Sequence, residues 1–440
     1  MRSYRVDLEQ MLSARDRRVG IQNRMLSGAA PDQCLVCLTM NIAGEIKRTP
    51  ISRMLFGRGV RDLYSLGLEI RDDLILDEVT GTEGFWLINA NGAHVKHLLE
   101  GIEDSFPAAR LFDFDVLIPG GAKLSRAVSR RCLICDAPAA ECARSRKHSL
   151  DVVKAATDRL LREFCADELA QAAYDSLLDE LYTTPKPGLV DRMSNGAHTD
   201  MDVPLFEKSA ASLRQYFRDA VLLGLDDCSM GELRRRGLAA EATMFAATGG
   251  VNTHKGMIYS MGLLLAGMGK VLTQGGSCLY HAAELARQDA DERLRRSLES
   301  PSTNGGNVYR RYGASGAMGE AVSGFPNAVQ CARHLRHYRE QGCEQAAALA
   351  FCDTMAQMED TNLLHRGGQE GLDYARQAAA DISKMPAEFR VPALAALDSK
   401  MISRNLSPGG SADMLALAFL LERWRELSAG LILDEGGELS

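Results

Sequence analysis

The strongest constraint on the fold is a change of hydrophobic periodicity near residue 150. Before it lie short apolar runs of strand length, such as DQCLVCLTMNI, LILDEV and GFWLIN. Beyond it, stretches such as VVKAATDRLLREFCADELAQAAYDSLLDEL repeat apolar residues at helical spacing, and the strand signal fades. The sequence therefore predicts an α+β domain over residues 1–160 and an all-α domain over residues 161–440. The boundary falls within helical sequence and not in a Pro/Gly linker.

Length and charge narrow the class of protein. A chain of 440 residues exceeds one ordinary hydrophobic core, and its net charge of -7 suits small phosphorylated ligands better than nucleic acid. The first residues, MRSYRVDLEQ, lack the apolar core of a signal peptide, and the longest apolar run, MIYSMGLLLAGM, is too short to span a bilayer. We therefore expect a cytoplasmic protein with no membrane partner. Its eleven cysteines are expected to be free thiols.

Two aspartates interrupt the most apolar strand of the first half, RLFDFDVLIPGG at 110–121. In an extended strand Asp113 and Asp115 share one face, while Phe112 and Phe114 share the other. Carboxylates roughly 7 Å apart repel by roughly 2 kcal/mol at an effective dielectric of about 20. A bound Mg²⁺ would offset this repulsion, since hard cations bind carboxylate oxygens and substrate phosphates at the same time. The alternative is a half-exposed strand with two solvated acids.

A basic run follows this strand directly. Its cationic residues are Lys123, Arg126, Arg130, Arg131, Arg144, Arg146 and Lys147. Phosphoryl and nucleotidyl transfer require a metal and guanidinium groups that neutralise charge on the transferring phosphate. The combination favours a functional role for the two aspartates, with Arg110, Arg126 and Arg130 as phosphate contacts.

The same segment contains Cys132-x2-Cys135-x6-Cys142-x5-His148, which is a Cys₃His zinc site by ligand type. Free thiols are the default interpretation for a chain without a secretion signal, and zinc is the alternative.

Five polar, glycine-rich loops are predicted in the helical half. They are TTPKPGLVDRMSNGAHTDMD at 183–202, TGGVNTHKG at 248–256, TNGGNVYRRYGASGAMGEAVSGFP at 303–326, DTNLLHRGG at 360–368 and RNLSPGGSAD at 404–413. Connections in helical bundles are usually two to eight residues, and longer ones are uncommon unless they are functional. Glycines let a backbone approach a ligand, and helix N-termini attract phosphate. The loops therefore predict a substrate with several phosphates.

Among these loops, TGGVNTHKG gives the strongest indication of phosphate binding. Lys255 stands where a helix should begin, and a cation there opposes the helix dipole unless an anion is bound. No G-x-x-x-x-G-K-[ST] spacing occurs, so the loop is not a P-loop. The loop at 183–202 mixes acids with Lys186 and Arg192, as metal-triphosphate binding requires; the alternative is a solvated loop. Glu320, Asp360 and Arg366 are candidates for completing the site.

These motifs resemble two enzyme families. Through LSARDRRVGIQ, RLFDFDVL and RRCLICDAPAAECARSRKHS, the first 150 residues resemble apo-citrate lyase phosphoribosyl-dephospho-CoA transferase, the holo-acyl-carrier-protein synthase of citrate lyase. Through TPKPGLVDRMSNGAHTDMD, TGGVNTHKG, DTNLLHRGG and RNLSPGGSAD, the remainder resembles triphosphoribosyl-dephospho-CoA synthase. The whole chain resembles the fused, bifunctional form of the two.

The resemblance implies two reactions. In the second half, the 2′-hydroxyl of 3′-dephospho-CoA attacks the ribose C1 of ATP, and adenine leaves. In the first half, a serine of the citrate lyase acyl carrier protein, the gamma subunit, attacks the α-phosphate of that product, and pyrophosphate leaves. The resemblance further implies a nucleotidyltransferase-like mixed sheet, with Mg²⁺ held by Asp113 and Asp115.

In the second half, Asp191, Asp200 or Glu320 is expected to take the proton from the attacking hydroxyl. The expected substrate contacts there are Lys186, Arg192, Asn195, His198, Asn252, His254, Lys255, Asp360, Arg366, Arg404 and Asp413.

Two positions depart from the expected family pattern, and other functions compete with the resemblance. Ala109 stands where a glycine is expected, and Met318 replaces an expected arginine that would bind phosphate. The main alternative is a zinc-stabilised nucleic-acid-binding module fused to a helical regulatory domain; a carrier-protein scaffold without chemistry is a third. The carrier of a malonate decarboxylase is an alternative recipient, which the first-half motifs disfavour.

Overall fold

The computed structural model describes residues 4–126, 128–299 and 304–429, the side chains of 291–306 excepted. The chain divides into two compact units. The first comprises residues up to Cys165, and the second runs from Ala166 to Glu426. The division falls inside one continuous helix, Leu150–Tyr182, and not in a flexible linker.

The first unit combines a small sheet with helices. Its elements are α1 (Leu8–Leu26), β1 (Cys34–Met40), α2 (Pro50–Ser65), β2 (Ile70–Glu78), β3 (Gly81–Ile88), α3 (Gly92–Glu103), a 3₁₀ turn (Pro107–Leu111), β4 (Phe112–Leu117), β5 (Lys123–Leu124), α4 (Ala139–Ser145) and the start of α5 (Leu150–Tyr182). The strand order is β2-β3-β1-β4-β5. The α+β prediction is confirmed. Every strand pair in the described residues is antiparallel, so the expectation of a mixed sheet was wrong.

The two faces of this sheet are covered by different helices. Leu117 of β4 packs with Cys37 of β1 and with Ile21 of α1. Because side chains alternate along a strand, Asp113 and Asp115 lie on this α1 face. Phe112 and Phe114 lie on the opposite face and are buried. The predicted alternation of the strand is therefore confirmed.

Helix α3 is fastened to β4 by polar contacts as well as by apolar packing. Lys96, which is buried, donates from Nζ to the carbonyl oxygen of Phe114 at 2.8 Å. Glu103, also buried, accepts from the backbone N–H of Phe114 at 2.9 Å. Both main-chain groups of one strand residue thus bind side chains of the same helix, which fixes the position of the aspartate strand.

The second unit is helical in all its described residues. After α5 it contains α6 (Val203–Leu225), α7 (Met230–Thr248), α8 (Lys255–Gln274), α9 (Cys278–Glu299), α10 (Asn304–Tyr312), α11 (Gly316–Val322), α12 (Pro326–Glu340), α13 (Ala346–Gln357), α14 (Thr361–Ser383), α15 (Ala387–Ser403) and α16 (Gly409–Ser428).

The predicted loops are only partly loops. The segment 183–202 is irregular up to the start of α6, and 249–254 connects α7 to α8. The segment 303–326 instead forms α10 and α11, with Thr303 outside the described residues. Most of 360–368 is helical, because Asp360 caps α14, and a kink follows at Gly368 (φ 61°). These stretches were misread because glycine and asparagine also occur in short helices and at helix ends.

Helix α8 is the core of the second unit. Its length and mean hydropathy of 1.3 would also allow a membrane span, but 78% of that stretch is buried inside the protein. Helix α6 crosses it closely, because Gly224 faces Ala266 and Gly269 faces Val221. The apolar run is therefore a core helix that packs through small residues.

This close crossing gives a testable prediction. A Cβ at Gly224 would lie 2.1 Å from the carbonyl oxygen of Ala266, and backbone cannot move aside as a side chain can. We expect Gly224→Ala to lower the free energy of unfolding by about 1–3 kcal/mol, as measured by urea denaturation. In α7, Gly231→Ala meets nothing closer than 3.7 Å and should leave stability unchanged or slightly higher. Equal stability of the two variants would contradict the proposed crossing.

Candidate active sites

The second unit contains a cavity of about 1620 Å³. Its walls come from α5, the loop 183–202, α6 and α7, the starts of α8 and α16, and α11 and α14. Pockets for one small molecule usually measure about 300–1,000 Å³, so this cavity has room for two substrates.

The cavity gathers most, but not all, of the residues predicted to form a site here. Those that line it are Lys186, His198, Asp200, Asn252, His254, Lys255, Glu320, Arg366 and Asp413. Those outside its lining are Asp191, Arg192, Asn195, Asp360 and Arg404. Arg192 instead stacks on Tyr182, with its guanidinium carbon 4.6 Å from the ring centre, and Arg404 stacks on Tyr374 at 4.1 Å.

Three of the predicted acids have their oxygens occupied by the protein itself. Asp191 accepts backbone N–H groups from Lys186 at 3.0 Å, Met193 at 2.7 Å and Ser194 at 3.0 Å. It therefore organises its own loop, which argues against its proposed role as proton acceptor.

Glu320 and Asp360 act in the same way at helix starts. Glu320 accepts from the backbone of Asn327 at 2.7 Å and of Ala328 at 3.1 Å, and from the Asn327 side chain at 2.7 Å. It thus caps α12, and this argues against Glu320 as the base. Asp360 accepts from the N–H of Asn362 at 2.9 Å, and from the N–H and hydroxyl of Ser411 at 2.8 and 2.9 Å. Asp360 therefore ties the start of α14 to α16.

Arg366 and His198 join three parts of the cavity wall. Arg366 donates to the carbonyl oxygen of Ala197 and to Asn405, both at 2.9 Å, and to Nδ1 of His198 at 3.1 Å. Since guanidinium only donates, Nδ1 of His198 accepts, and its Nε2–H donates to Ser407 at 2.8 Å. Burial and Arg366 both lower the pKa of His198. The histidine is therefore neutral in one defined tautomer.

His254 and Lys255, both predicted as substrate contacts, have protein partners in the structure. His254 is buried with Nδ1 2.7 Å from the Ser209 hydroxyl, and burial, with Lys186 nearby, lowers its pKa to about 4. It is therefore uncharged at neutral pH. Lys255 begins α8, and its Nζ lies 3.0 Å from the carboxylate of Glu241. The anion that offsets this unfavourable cation is thus a residue of α7, and a bound phosphate is not needed to explain it.

Two carboxylates of the cavity wall, Glu180 and Asp413, behave differently from each other. Glu180, which the sequence analysis missed, pairs with the buried ammonium of Lys186. Among the described residues none donates a hydrogen bond to Asp413, although it faces the cavity. Burial, together with the neighbouring charges of Glu180 and Asp360, raises the pKa of Asp413 well above its usual range. Glu180 carried no signal because it lies inside an ordinary amphipathic helix.

In the first unit, one cationic neighbour of the aspartate pair, Lys123, belongs to the predicted basic run, and another, Arg18, was not predicted. Lys123 of β5 lies 2.5 Å from Asp115 through Nζ and Oδ1. Burial and the nearby Asp113 raise the pKa of Asp115, although Lys123 opposes the shift. Arg18 of α1 pairs with Glu83, and although burial alone would lower its pKa, the charges of Glu83, Cys37 and Asp115 raise it. The arginine therefore lies on the aspartate face.

The three arginines predicted to contact phosphate in the first unit bind other groups of the protein in the structure. Arg126 pairs with Asp104 at 2.5 Å, and Arg130 pairs with Glu103 and donates to the carbonyl oxygen of Phe112 at 2.7 Å. Arg110 donates to the carbonyl oxygen of Arg131 at 2.7 Å. Arg126 and Arg130 thus neutralise acids of α3, on the side opposite the aspartates.

The two departures from the expected pattern have different consequences. Ala109 is buried in the 3₁₀ turn with a negative φ, so no glycine is required there. Met318 lines the cavity of the second unit, where it places an apolar side chain in the wall.

An α+β unit with an acidic strand pair, followed by a helical unit with a large cavity, suits a two-domain enzyme. Residues 166–430 match the family ATP:dephospho-CoA triphosphoribosyl transferase, and residues 6–164 match the family apo-citrate lyase phosphoribosyl-dephospho-CoA transferase. The chain belongs to these two families in fused form.

Curated relatives agree with this assignment. Protein CitXG of Haemophilus influenzae is 32% identical over 96% of this chain and 97% of its own. Protein CitXG of Leuconostoc mesenteroides subsp. cremoris is 29% identical over 95% of this chain and 97% of its own. The 2-(5''-triphosphoribosyl)-3'-dephosphocoenzyme-A synthase of Haemophilus ducreyi is 36% identical over 64% of this chain and 97% of its own.

The protein is therefore a bifunctional transferase, as the resemblance implied. It joins the triphosphoribosyl group of ATP to 3′-dephospho-CoA, and it transfers phosphoribosyl-dephospho-CoA to citrate lyase. Because the triphosphate stays on the ribose in the first reaction, the leaving group is adenine. The second reaction splits that triphosphate and releases pyrophosphate.

The geometry around Asp413 yields a prediction for the adenine-releasing reaction. A Cβ on Gly256, the second residue of α8, would lie 2.9 Å from Oδ2 of Asp413 and displace the carboxylate. We expect Gly256→Ala to slow adenine release at least about tenfold, a shift of about 1.4 kcal/mol in the barrier. Its melting temperature should be unchanged or higher, because alanine favours a helix by up to about 1 kcal/mol. Gly231→Ala is the matched helical control; full activity of Gly256→Ala would show that Asp413 need not be fixed.

Proposed function

We propose that the cavity of the second unit binds ATP and 3′-dephospho-CoA together and that Asp413 accepts the proton of the attacking 2′-hydroxyl. The observation that carries this proposal is the carboxylate of Asp413, which faces the cavity without a hydrogen-bond partner among the described residues. The other acids proposed for this role, Asp191 and Glu320, already bind backbone N–H groups. Asp200 is exposed and lies beside His198.

The proposed reaction is a displacement at the ribose carbon. The hydroxyl oxygen bonds to C1, its proton passes to Asp413, and the bond from C1 to adenine breaks. Adenine leaves with the electron pair and takes a proton from water. A carboxylate with a raised pKa is a stronger base than an ordinary aspartate, and this favours proton transfer in the transition state.

The charges along the wall bear on how the triphosphate binds. Carboxylates outnumber cations among the described lining residues: Glu180, Asp200, Glu241, Glu320, Glu359 and Asp413 stand against Lys186, Arg234, Lys255 and Arg366. The four cations already have acidic or polar partners. The triphosphate therefore brings its own counter-charge as Mg²⁺, which binds readily through substrate phosphates and one or two carboxylates. Lys255 and Arg366 contact the triphosphate from the wall.

Replacing Asp413 tests its role directly. We expect Asp413→Asn to lower kcat for adenine release by about 10²–10⁴-fold, the usual contribution of a general base. In the unaltered protein the rate should fall as pH drops through the raised pKa of Asp413, and this limb should be absent from the residual rate of the variant. Adenine and pyrophosphate are quantified separately by chromatography, and pyrophosphate should appear only after carrier is added.

The stability of the same variant separates a catalytic from a structural role. A raised pKa means that the folded state penalises the ionised carboxylate, so this contribution destabilises the protein as pH rises above the ordinary aspartate pKa. Asp413→Asn should therefore keep or raise the melting temperature at neutral pH, with Asp373→Asn, an exposed position on α14, as the control. A variant with normal kcat that needs more Mg²⁺ would instead identify Asp413 as a metal ligand.

For the first unit, we propose that Asp113 and Asp115 hold Mg²⁺ while a serine of the citrate lyase acyl carrier protein attacks the α-phosphate. Two carboxylates on one strand face suit this ion by ligand type. On this face the carboxylates of Glu83, Asp113 and Asp115 outnumber the cations Arg18 and Lys123 that pair with them, so the face holds excess negative charge. The ion would neutralise charge on the α-phosphate. Arg18 and Lys123 are the cations placed to assist there.

We expect Asp113→Asn and Asp115→Asn each to abolish carrier modification while leaving adenine release unchanged, because that reaction belongs to the second unit. Intact mass of the carrier after incubation with preformed triphosphoribosyl-dephospho-CoA measures the first reaction. Asp72→Asn, on the exposed strand β2, is the matched control. Normal carrier labelling by both aspartate variants would refute the proposed site.

The cellular setting stays a prediction. We propose that the protein works in the cytoplasm with the acyl carrier protein as its macromolecular partner, and without nucleic acid or membrane. The burial of α8 inside the second unit supports the last point.

A further inference from the structure

The structure brings four potential zinc ligands together in the first unit. The ligand atoms of Cys132, Cys135, Cys142 and His148 all lie within 4.8 Å of one another. Free thiols were the expected state because spacing alone does not show that side chains converge. We propose that these four residues bind one structural Zn²⁺, a site that neither transfer reaction requires for its chemistry.

Two of the distances between the ligand atoms are close to those of tetrahedral coordination. With Zn–S near 2.3 Å and Zn–N near 2.0–2.1 Å, a tetrahedron places two sulfurs about 3.8 Å apart and a sulfur and a nitrogen about 3.6 Å apart. Sγ of Cys135 lies 3.6 Å from Sγ of Cys142 and 3.3 Å from Nε2 of His148. A disulfide would need about 2.05 Å, so the cluster is not an oxidised pair.

The backbone around the cluster is built to hold this geometry. The N–H of Cys132 donates to the carbonyl oxygen of Ala137 at 2.8 Å, which closes the turn that carries Cys135. Helix α4 presents Cys142 inward and ends at Arg146 in the left-handed conformation (φ 48°). The chain then reverses and returns His148 to the three sulfurs.

Neighbouring groups compensate the charge of the proposed centre. Three thiolates and a neutral imidazole on Zn²⁺ carry one net negative charge. Nζ of Lys147 lies 3.7 Å from Sγ of Cys135, and the N–H of Ile134 points to Sγ of Cys132 at 3.4 Å. Such outer contacts orient metal ligands and stabilise the thiolates.

The segment also has little apolar burial to fix its conformation. Cys142 is the only buried residue in the described part of 128–149. A segment with so little apolar burial is ordinarily fixed by a metal or by a disulfide. No disulfide joins any of the cysteines in the described structure, so a disulfide does not fix the segment. Bound zinc would therefore fix the conformation of this segment.

The segment that carries the proposed zinc ligands, residues 132–148, is attached to the start of the aspartate strand β4. Arg110 donates to the carbonyl oxygens of Arg131 and Cys132 at 2.7 and 3.0 Å, and Arg130 donates to that of Phe112 at 2.7 Å. Loss of zinc would free this segment beside Asp113. The carrier-modifying reaction should therefore weaken, while adenine release should not.

Metal content of the full-length protein tests the proposal. Protein purified without added metal or chelator should contain one zinc per chain by elemental analysis, and mercurial titration of the thiols should release it. The double variant Cys135→Ser/Cys142→Ser should lose the metal. Cys343→Ser, a partly exposed cysteine of the second unit, is the control and should retain it.

A spectroscopic readout keeps the test independent of how the variants fold. Cobalt exchanged into the unaltered protein should give thiolate charge-transfer bands and the intense visible bands of a tetrahedral ion. Stoichiometric zinc that persists in the double variant would overturn the assignment. So would unaltered protein that holds well under one zinc per chain even after refolding with added zinc.

Discussion

The second unit depends on buried carboxylates that capture backbone N–H groups where loops meet helices. Asp360 binds the first N–H groups of α14 and also the N–H and hydroxyl of Ser411 at the start of α16. Burial raises its pKa, although the hydrogen bonds from Ser411, Leu363 and Asn362 oppose the shift. One side chain thereby joins two helices that are distant in sequence. Glu320 does the same between α11 and α12, and Asp191 folds the loop after α5.

These anchored acids explain how a wall rich in loops can hold a fixed shape. A buried main-chain N–H without a partner is costly, and each carboxylate satisfies two or three such groups. Gly410 illustrates how tight the packing is, because a Cβ there would lie 3.1 Å from the carboxylate of Asp360. The cavity therefore owes its form to acids that are saturated with hydrogen bonds. Acids that are not saturated, above all Asp413, remain available to the substrates.

This distinction also marks how much of the site could be predicted from sequence. Residues 183–202 and 249–254 were identified as loops because proline, glycine and asparagine punctuate them. The sequence could not show which acids are saturated, since Asp191, Glu320 and Asp413 all occur in similar polar surroundings. It also could not show that Lys255 pairs with Glu241, because that contact joins two different helices. Glu180 was missed for the same reason: only tertiary packing places it beside Lys186.

In the first unit, too, the sequence predicted local geometry but not all of the tertiary contacts. Alternation along RLFDFDVL was enough to place Asp113 and Asp115 on one face, because side-chain direction in a strand is fixed locally. Lys123, which follows the strand closely in sequence, pairs with Asp115, but proximity in sequence did not identify the other cations correctly. Arg126 and Arg130 follow the strand closely, yet the acids of α3 bind them on the other side of the sheet. Arg18 comes from a helix far away in sequence and lies on the aspartate face. The counter-charges on this face therefore come both from β5 and from the helix that covers the face. The motif LSARDRRVGIQ, which carries the family resemblance, lies in that helix.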